Sequence, residues 1–396
     1  MTQDSRDLVP SSCGLVAFGE PTHREPAFGW VRNDLFARLV ERGFRSIALE
    51  TDRVAALAVD DYVREGVGSL DEVMRTGFSH EFGELDANRG LVAWLRAHNR
   101  DRPPAERVAF HGFDAPTEWD RAPAPRPYLE HVRDYLGLDL DLAGPAGDDE
   151  RWSRTEAVLD AAESPGATAG ADRLRALADD LDGLLHARAP ERIESAASRA
   201  RWLRARTHLT AGIGLLRYHR QAARPLELPA RIAGLLAVRD ELMARNLLDI
   251  RSVEAARGGT LVFAHNGHLQ RNPTVWTMGE QDVTWYGAGR ILAALATGGE
   301  EYLFVAGSLG RSNAVGLTDP APDTYEGFLQ SRDADADPGW SLTAASDVPR
   351  SGVRTDTTPE QGYFPLDEAT VAGADLILHI RDGGAVERGR TSRQVG

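Results

Sequence analysis

The most chemically loaded stretch of the chain is "LVAFGEPTHREPAF", which begins at Leu15. An apolar run breaks off there into Gly19, Glu20, Pro21, Thr22, His23, Arg24, Glu25 and Pro26. A carboxylate close to an imidazole can fix its tautomer and stabilise its cation, which sets up a base that works near neutral pH. Similar groups close other apolar runs. Glu50 and Asp52 end "RSIALETD", His111 and Asp114 lie in "RVAFHGFD", and His265, Asn266 and His268 end "TLVFAHNGH". Ser308 follows "EYLFVAG", and His379 and Arg381 end "ADLILHIR". A single polar residue after a strand is usually a turn former or a helix cap. The coincidence over several runs is what points to chemistry.

Other schemes find no support. "HNGH" offers two His at a spacing of three, but no third ligand with motif spacing, no H-E-x-x-H and no paired Cys accompany it, so no metal is expected. There is no G-x-S-x-G elbow, and the one thiol, Cys13, precedes the first apolar run. All 45 basic residues are Arg, which excludes Schiff-base chemistry and a P-loop lysine. "GAGRIL" lacks the third Gly of a dinucleotide loop and reads as a helix start. No cofactor is expected. Base-assisted chemistry by His and Glu on water or a substrate hydroxyl remains.

The elements that must position these groups are legible as patterns. Six short apolar runs, at 14–20, 45–51, 107–114, 260–266, 301–307 and 374–380, suit strands covered on both faces. Between the first two, Phe28, Val31, Leu35, Leu39 and Val40 recur at helical spacing, with Gly43 as a stop. Strand, helix, strand predicts an α/β fold with a mostly parallel central sheet flanked by helices. The span between the third and fourth strands is too long for one crossover. A single domain over 1–396 is therefore expected, with a helical insertion at 115–245 that roofs the pocket. Segments 142–150 and 163–172 read as loops, 331–362 as an irregular surface loop, and the tail from Gly383 as frayed. If the strands are parallel, the polar groups meet outside their carboxyl ends, where open α/β sheets bind ligands.

The formal net charge of −15, with no basic cluster, argues against nucleic acid and anionic membranes as partners. No signal sequence or apolar span is visible, and a lone Cys fits a reducing compartment, so a cytoplasmic location is expected. The expected partner is a small-molecule substrate; the oligomeric state is open.

Taken in order, "GEPTH", "VRNDLFARLVERGFRSIALE", "WLRAHN", "HGFD", "RDELMARN", "FAHNGH" and "MGEQ" resemble the motifs of the erythromycin esterase family, over about residues 14–310. The resemblance implies an α/β core with a helical insertion, and metal-free hydrolysis of the lactone ester of macrolide antibiotics. It implies catalytic roles for Glu20, His23, Arg32, Glu50, His265 and His268, without deciding which His is the base. Substrate contacts are expected at Arg24, Asp52, His111, Asp114, Asn266 and Glu280. Arg24 stands where the family's pattern usually has Gly, and it is expected to face the pocket and hold an electron-rich oxygen. The leading reading is an ester or lactone hydrolase. The alternatives are a natural-product biosynthetic enzyme that eliminates, cyclises or rearranges with the same bases, and a non-catalytic small-molecule binder.

Overall fold

The structure, a computed structural model, describes residues 13–279, 281–295, 302–332 and 339–394. Its centre is a seven-stranded sheet in the order β3-β2-β4-β1-β7-β9-β8. The strands are β1 (Leu15–Glu20), β2 (Phe44–Asp52), β3 (Ala109–Asp114), β4 (Gly259–His265), β7 (Tyr302–Arg311), β8 (Trp340–Ala344) and β9 (Leu376–Asp382), and all pair in parallel except β8. Two further strands, β5 (Thr274–Met278) and β6 (Gln281–Trp285), form a separate antiparallel hairpin. The six expected strands are all present.

Alternation along the strands supplies two cores. Val16 and Phe18 join Phe28, Phe36, Ile47 and Phe110 on one face of the sheet. Leu15 and Ala17 join Met243, Leu247, Phe304 and Ile377 on the other. Helix α1 (Pro26–Glu41) covers the first face. Glu25 caps it by accepting from the Ala27 N–H at 3.0 Å, Pro26 sits in its first turn, and Gly43 at φ 98° ends it. Helices α2 (Ala56–Glu65), α3 (Leu70–Thr76) and α4 (Asp86–Asn99) bridge β2 and β3.

Between β3 and β4 lies the helical insertion. It comprises α5 (Arg126–Leu136), the short α6 (Ala143–Ala146), α7 (Glu150–Ser153) and α8 (Thr155–Leu159), then α9 (Ala169–Ala187), α10 (Ala189–Arg192), α11 (Ala196–Ala222) and α12 (Leu228–Glu254). Leu129, Val132, Trp152, Leu174, Leu181 and Leu209 give it a core of its own. Met243, Ala244, Leu247 and Ile250 of α12 pack on the sheet, so this helix ends the insertion and begins the crossover. The remaining helices are α13 (Asn266–Leu269), α14 (Ala288–Leu295), α15 (Tyr325–Arg332), α16 (Glu368–Gly373) and α17 (Gly383–Gln394).

Several local expectations are corrected. The span read as irregular, 331–362, contains the antiparallel edge strand β8, which buries Trp340 and Thr343 and packs the half-buried Leu342 and Ala344 against the core. The tail is helix α17 rather than frayed chain, because Val386 inserts into the core beside α1. Segment 142–150 holds short helices, and α9 already starts at Ala169 within 163–172. The β5–β6 hairpin has no counterpart in the sequence reading.

Candidate active site

The connection after β1 runs to β2 on one side, and the chain after β4 reaches β7 on the other. β1 and β4 are neighbours in the sheet, so a crevice opens between them at their carboxyl ends. The register places Glu20 opposite His265, the last pair of that ladder. Glu50 follows Leu49, which pairs with Phe263 of β4. Three strands thus bring Glu20, Glu50 and His265 together. The turn after β1 adds His23, and the one-turn helix α13 adds His268.

Glu50 is the hub. Its Oε1 accepts from Arg239 Nη2 at 3.1 Å and lies 3.3 Å from His268 Nε2 and 3.7 Å from His23 Nε2. Its Oε2 accepts from the backbone N–H of His265 at 2.8 Å. Burial opposes its charge, but His268, His23 and Arg239 together hold its carboxyl well below the usual range. His268 is gripped at both nitrogens, with Nδ1 2.8 Å from Asp240 Oδ1. Burial works against its cation, but Asp240 and Glu50 outweigh it and push it up to about 10. Asp240 in turn accepts from Trp285 Nε1 at 2.7 Å and from the Ala288 N–H at 2.8 Å.

The three imidazoles of the cluster therefore differ. His268 is a fixed cation. His265 is pushed down to about 3 by burial and then by the neighbouring His23. Its Nδ1 accepts from the Gly267 N–H at 3.1 Å, which leaves its proton on Nε2. His23 donates from Nδ1 to Glu20 Oε1 at 2.8 Å, and its side chain keeps 35% of its exposure. Burial lowers its proton affinity, yet Glu50 and Glu20 raise it above the ordinary histidine value. Glu20 is itself pushed up, by burial first, against the pull of His23. Phe82 and His265 flank the His23 ring at centroid distances of 5.2 and 5.3 Å.

Two cavities meet at His23, Arg24 and Glu50. The inner one, about 510 Å³, is walled by Trp30, Arg32, Phe82, Leu85, Asn88 and Phe263 among others. The outer one, about 320 Å³, is walled by Leu236, Arg239, His268, Trp276, Trp285 and Phe364. Arg32 is buried, 4.9 Å above the Phe263 ring, and donates to Asn33 Oδ1, to Asn88 Oδ1 and to the Ala87 carbonyl. None of these partners is a carboxylate. The walls come from residues 82–88, from the β5–β6 hairpin and from the chain at 362–364. Of the insertion, Leu236 and Arg239 of α12 are the residues that line these two cavities.

The other expected residues are dispersed. Asp114 joins the network, accepting from Arg239 Nε at 2.9 Å and also from Arg239 Nη2. Arg24 is at the rim, where its Nη1 donates to the Glu360 carbonyl. Asp52, pushed up to about 6 mainly by burial, accepts from the Val54 N–H at 2.7 Å at the start of α2. His111 lies apart, bonded to Glu254 at 3.1 Å beside a different cavity. Asn266 clamps the Gly307 backbone, at 2.9 Å and 3.0 Å. Its Oδ1 would lie 2.1 Å from a Cβ at Gly19, so that close approach requires glycine. Glu280 lies outside the described residues. Sequence reasoning missed His80, Arg239, Asp240 and Trp285. Arg239 and Asp240 open the "RDELMARN" motif, which was a usable signal; His80 carried none. Among the described residues, no group of three or more His, Cys, Asp or Glu side chains is disposed to hold a metal ion. No helix among them is long and apolar enough to cross a membrane.

The α/β fold agrees with comparison to known proteins. The family model "Erythromycin esterase" matches residues 39–395, and the chain belongs to the erythromycin esterase family. That match starts after Glu20, His23 and Arg32. Three solved structures share the fold. A Bacillus cereus protein is 17% identical, with TM-score 0.67, covering 96% of this chain and 91% of its own. A succinoglycan biosynthesis protein is 16% identical, with TM-score 0.64, covering 94% and 88%. A mutant of the erythromycin esterase EreC in its open conformation, with one His replaced by Asn, is 19% identical, with TM-score 0.63, covering 94% and 91%. No protein among the curated sequences matches the chain.

Proposed function

We propose that the protein hydrolyses an ester or lactone, with His23 as general base toward water and no metal in the mechanism. The observation that carries this reading is the contrast among the three imidazoles. His268 holds its proton too tightly and His265 too weakly, whereas His23 is raised above the ordinary histidine value by Glu50 and Glu20 and, of the three, is the one that lines both cavities. Glu20 fixes the Nδ1–H tautomer, so Nε2 is the atom that takes a proton from water. The hydroxide attacks the carbonyl carbon, and the tetrahedral oxyanion collapses with loss of the alcohol, which takes the proton back from His23. Arg239 and the charged His268 face the outer cavity and Arg32 the inner one, so positive charge is available to a developing oxyanion on either side. Glu50 stays ionised throughout and stabilises the imidazolium.

Two cavities on either side of the base suit a substrate whose acyl and alcohol parts separate at the scissile bond. A macrolide-like or other natural product is the expected class, in keeping with the family. The test is incubation with simple esters and a macrolactone in H₂¹⁸O containing a strong chelator, followed by mass spectrometry. One ¹⁸O in the acid product is expected. A product without ¹⁸O would point to elimination or cyclisation by the same base. Turnover lost to chelator and restored by zinc would make His265 and His268 ligands.

A further inference from the structure

We propose that His80 is a positioning residue that anchors Glu50, through Asp114 and Arg239, from outside the cavities. The proposal rests on the hydrolase reading for its catalytic consequence, but not for its electrostatic one.

His80 lies in the turn between α3 and α4. Among the described residues, His80 and Glu81 are the non-glycine positions with positive φ, at 56° and 60°. Such a conformation is unfavourable for any residue with a Cβ and persists only where the surroundings over-determine it. Here they do. His80 Nδ1 is 2.6 Å from Glu118 Oε2, its backbone N–H donates to Glu118 Oε1 at 3.1 Å, and its Nε2 is 2.9 Å from Asp114 Oδ2. The preceding residue is tied to β2, with the Ser79 N–H donating to Thr51 Oγ1 at 2.7 Å and the Asp52 N–H to Ser79 Oγ at 2.9 Å.

An imidazole with a carboxylate at each nitrogen carries both protons. Burial opposes this, but Asp114 and Glu118 prevail and push His80 up to about 9. Charge then alternates inward: Glu118, His80, Asp114, Arg239, Glu50. Arg239 lies 3.3 Å from His80 Nε2 and divides its donors between Asp114 and Glu50. Because a guanidinium does not release its proton, this chain is not a proton wire. Its effect is on geometry and potential. With the His80 cation gone, Asp114 draws Arg239 more strongly, and Glu50 loses part of its compensation. The groups facing His23 are Glu20, Glu50, His265 and His268, with Arg24 beside it in the chain and Arg32 beyond Glu20. A cation removed from the far side of Glu50 leaves His23 in a more negative field, so it holds its proton more tightly.

The test uses His80→Asn, which tolerates the left-handed backbone and keeps a donor but not the charge. His80→Gly, which relaxes the backbone, is the second variant should the first not fold, as judged by circular dichroism. With an ester substrate, kcat is expected to fall about tenfold with KM within about threefold. The acidic limb of the pH–rate profile is expected to move up by about half a pH unit, the Coulomb scale for one charge at this range. The same upward shift is expected for the His23 ring in an NMR titration, which needs no turnover. A slower enzyme with neither shift would make His80 merely structural and overturn the proposal, as would unchanged kinetics. A shifted His23 titration in a protein that cleaves no ester would leave the proposal standing and overturn the hydrolase reading.

Discussion

Two histidines buried in one sheet show how neighbours decide what an imidazole can do. His379 of β9 and His268, just past β4, are both almost wholly inaccessible to solvent. His379 Nδ1 is 2.9 Å from Ser308 Oγ and its Nε2 is 2.9 Å from Gln330 Oε1. Neither partner is charged, so burial, followed by Arg381 and Arg354, pushes it down to about 3. His268 meets Asp240 and Glu50 instead and is a cation. The same side chain in similar burial is a neutral strut in one half of the sheet and a fixed charge in the other. Polar groups after strands 5 and 6 of the sequence reading thus join the fold, not the site.

The sharpest test of this contrast pairs substitutions across it. His23→Ala is expected to lower turnover about 100-fold or more, the scale of a lost acid–base group. His379→Leu should leave the rate within about threefold while costing roughly 1–3 kcal/mol of stability, because Ser308 and Gln330 keep buried polar atoms without a partner. Steady-state kinetics beside denaturant melts would check both; a His379→Leu enzyme as slow as His23→Ala would erase the division.

Glu20→Gln is the next largest effect. It keeps a hydrogen-bonding side chain beside His23 but removes a charge that raises its proton affinity. A loss of about tenfold in kcat is expected, together with a downward shift of the acidic limb. An unmoved limb would exclude the Glu20–His23 pair as the titrating unit.

Stability should carry opposite pH signatures from the two halves. His268 binds its proton in the folded protein up to about 10, against an ordinary 6.5. The folded state then holds more protons than the unfolded one, so its contribution is complete below 6.5 and declines as pH rises toward 10. His379, pushed down to about 3, works the other way: its contribution is complete above 6.5 and declines as pH falls toward 3. Urea unfolding of wild type and His379→Leu at several pH values should show the acid-side slope reduced in the variant. Equal slopes there would contradict a neutral His379.

The smallest effect is expected from Arg24→Gly. The bond to the Glu360 carbonyl holds Arg24 across the place where the cavities meet. Removing it should change the preference between small and bulky esters by about threefold to tenfold, within the range of a pocket-shape change. An unchanged ratio of kcat/KM values would make Arg24 a rim residue without a say in specificity.

Periodicity and residue type alone determined the six parallel strands, helix α1 and the helical character of the span before β4, because apolar runs that must be covered on both faces leave little choice of architecture. The same local signals brought Glu20, His23, Glu50, His265 and His268 to the carboxyl edge. What only the tertiary structure decided was the state of each group. His111 and His379 lie on strands just as His265 does, yet packing gave one of them Glu254 and the other Ser308 and Gln330. His80 and Trp285 reach the cluster from a turn and a hairpin far away in sequence, where no local spacing announces them, and Arg239 and Asp240 reach it from a helix whose "RDELMARN" motif did not say which of its side chains would face the strands. The hairpin and β8 were missed for the same reason: short strands are stabilised by the partner they meet, and that partner is chosen by the fold. Charge and proton affinity depend on what lies within a few ångströms in space, and only the folded chain sets those distances.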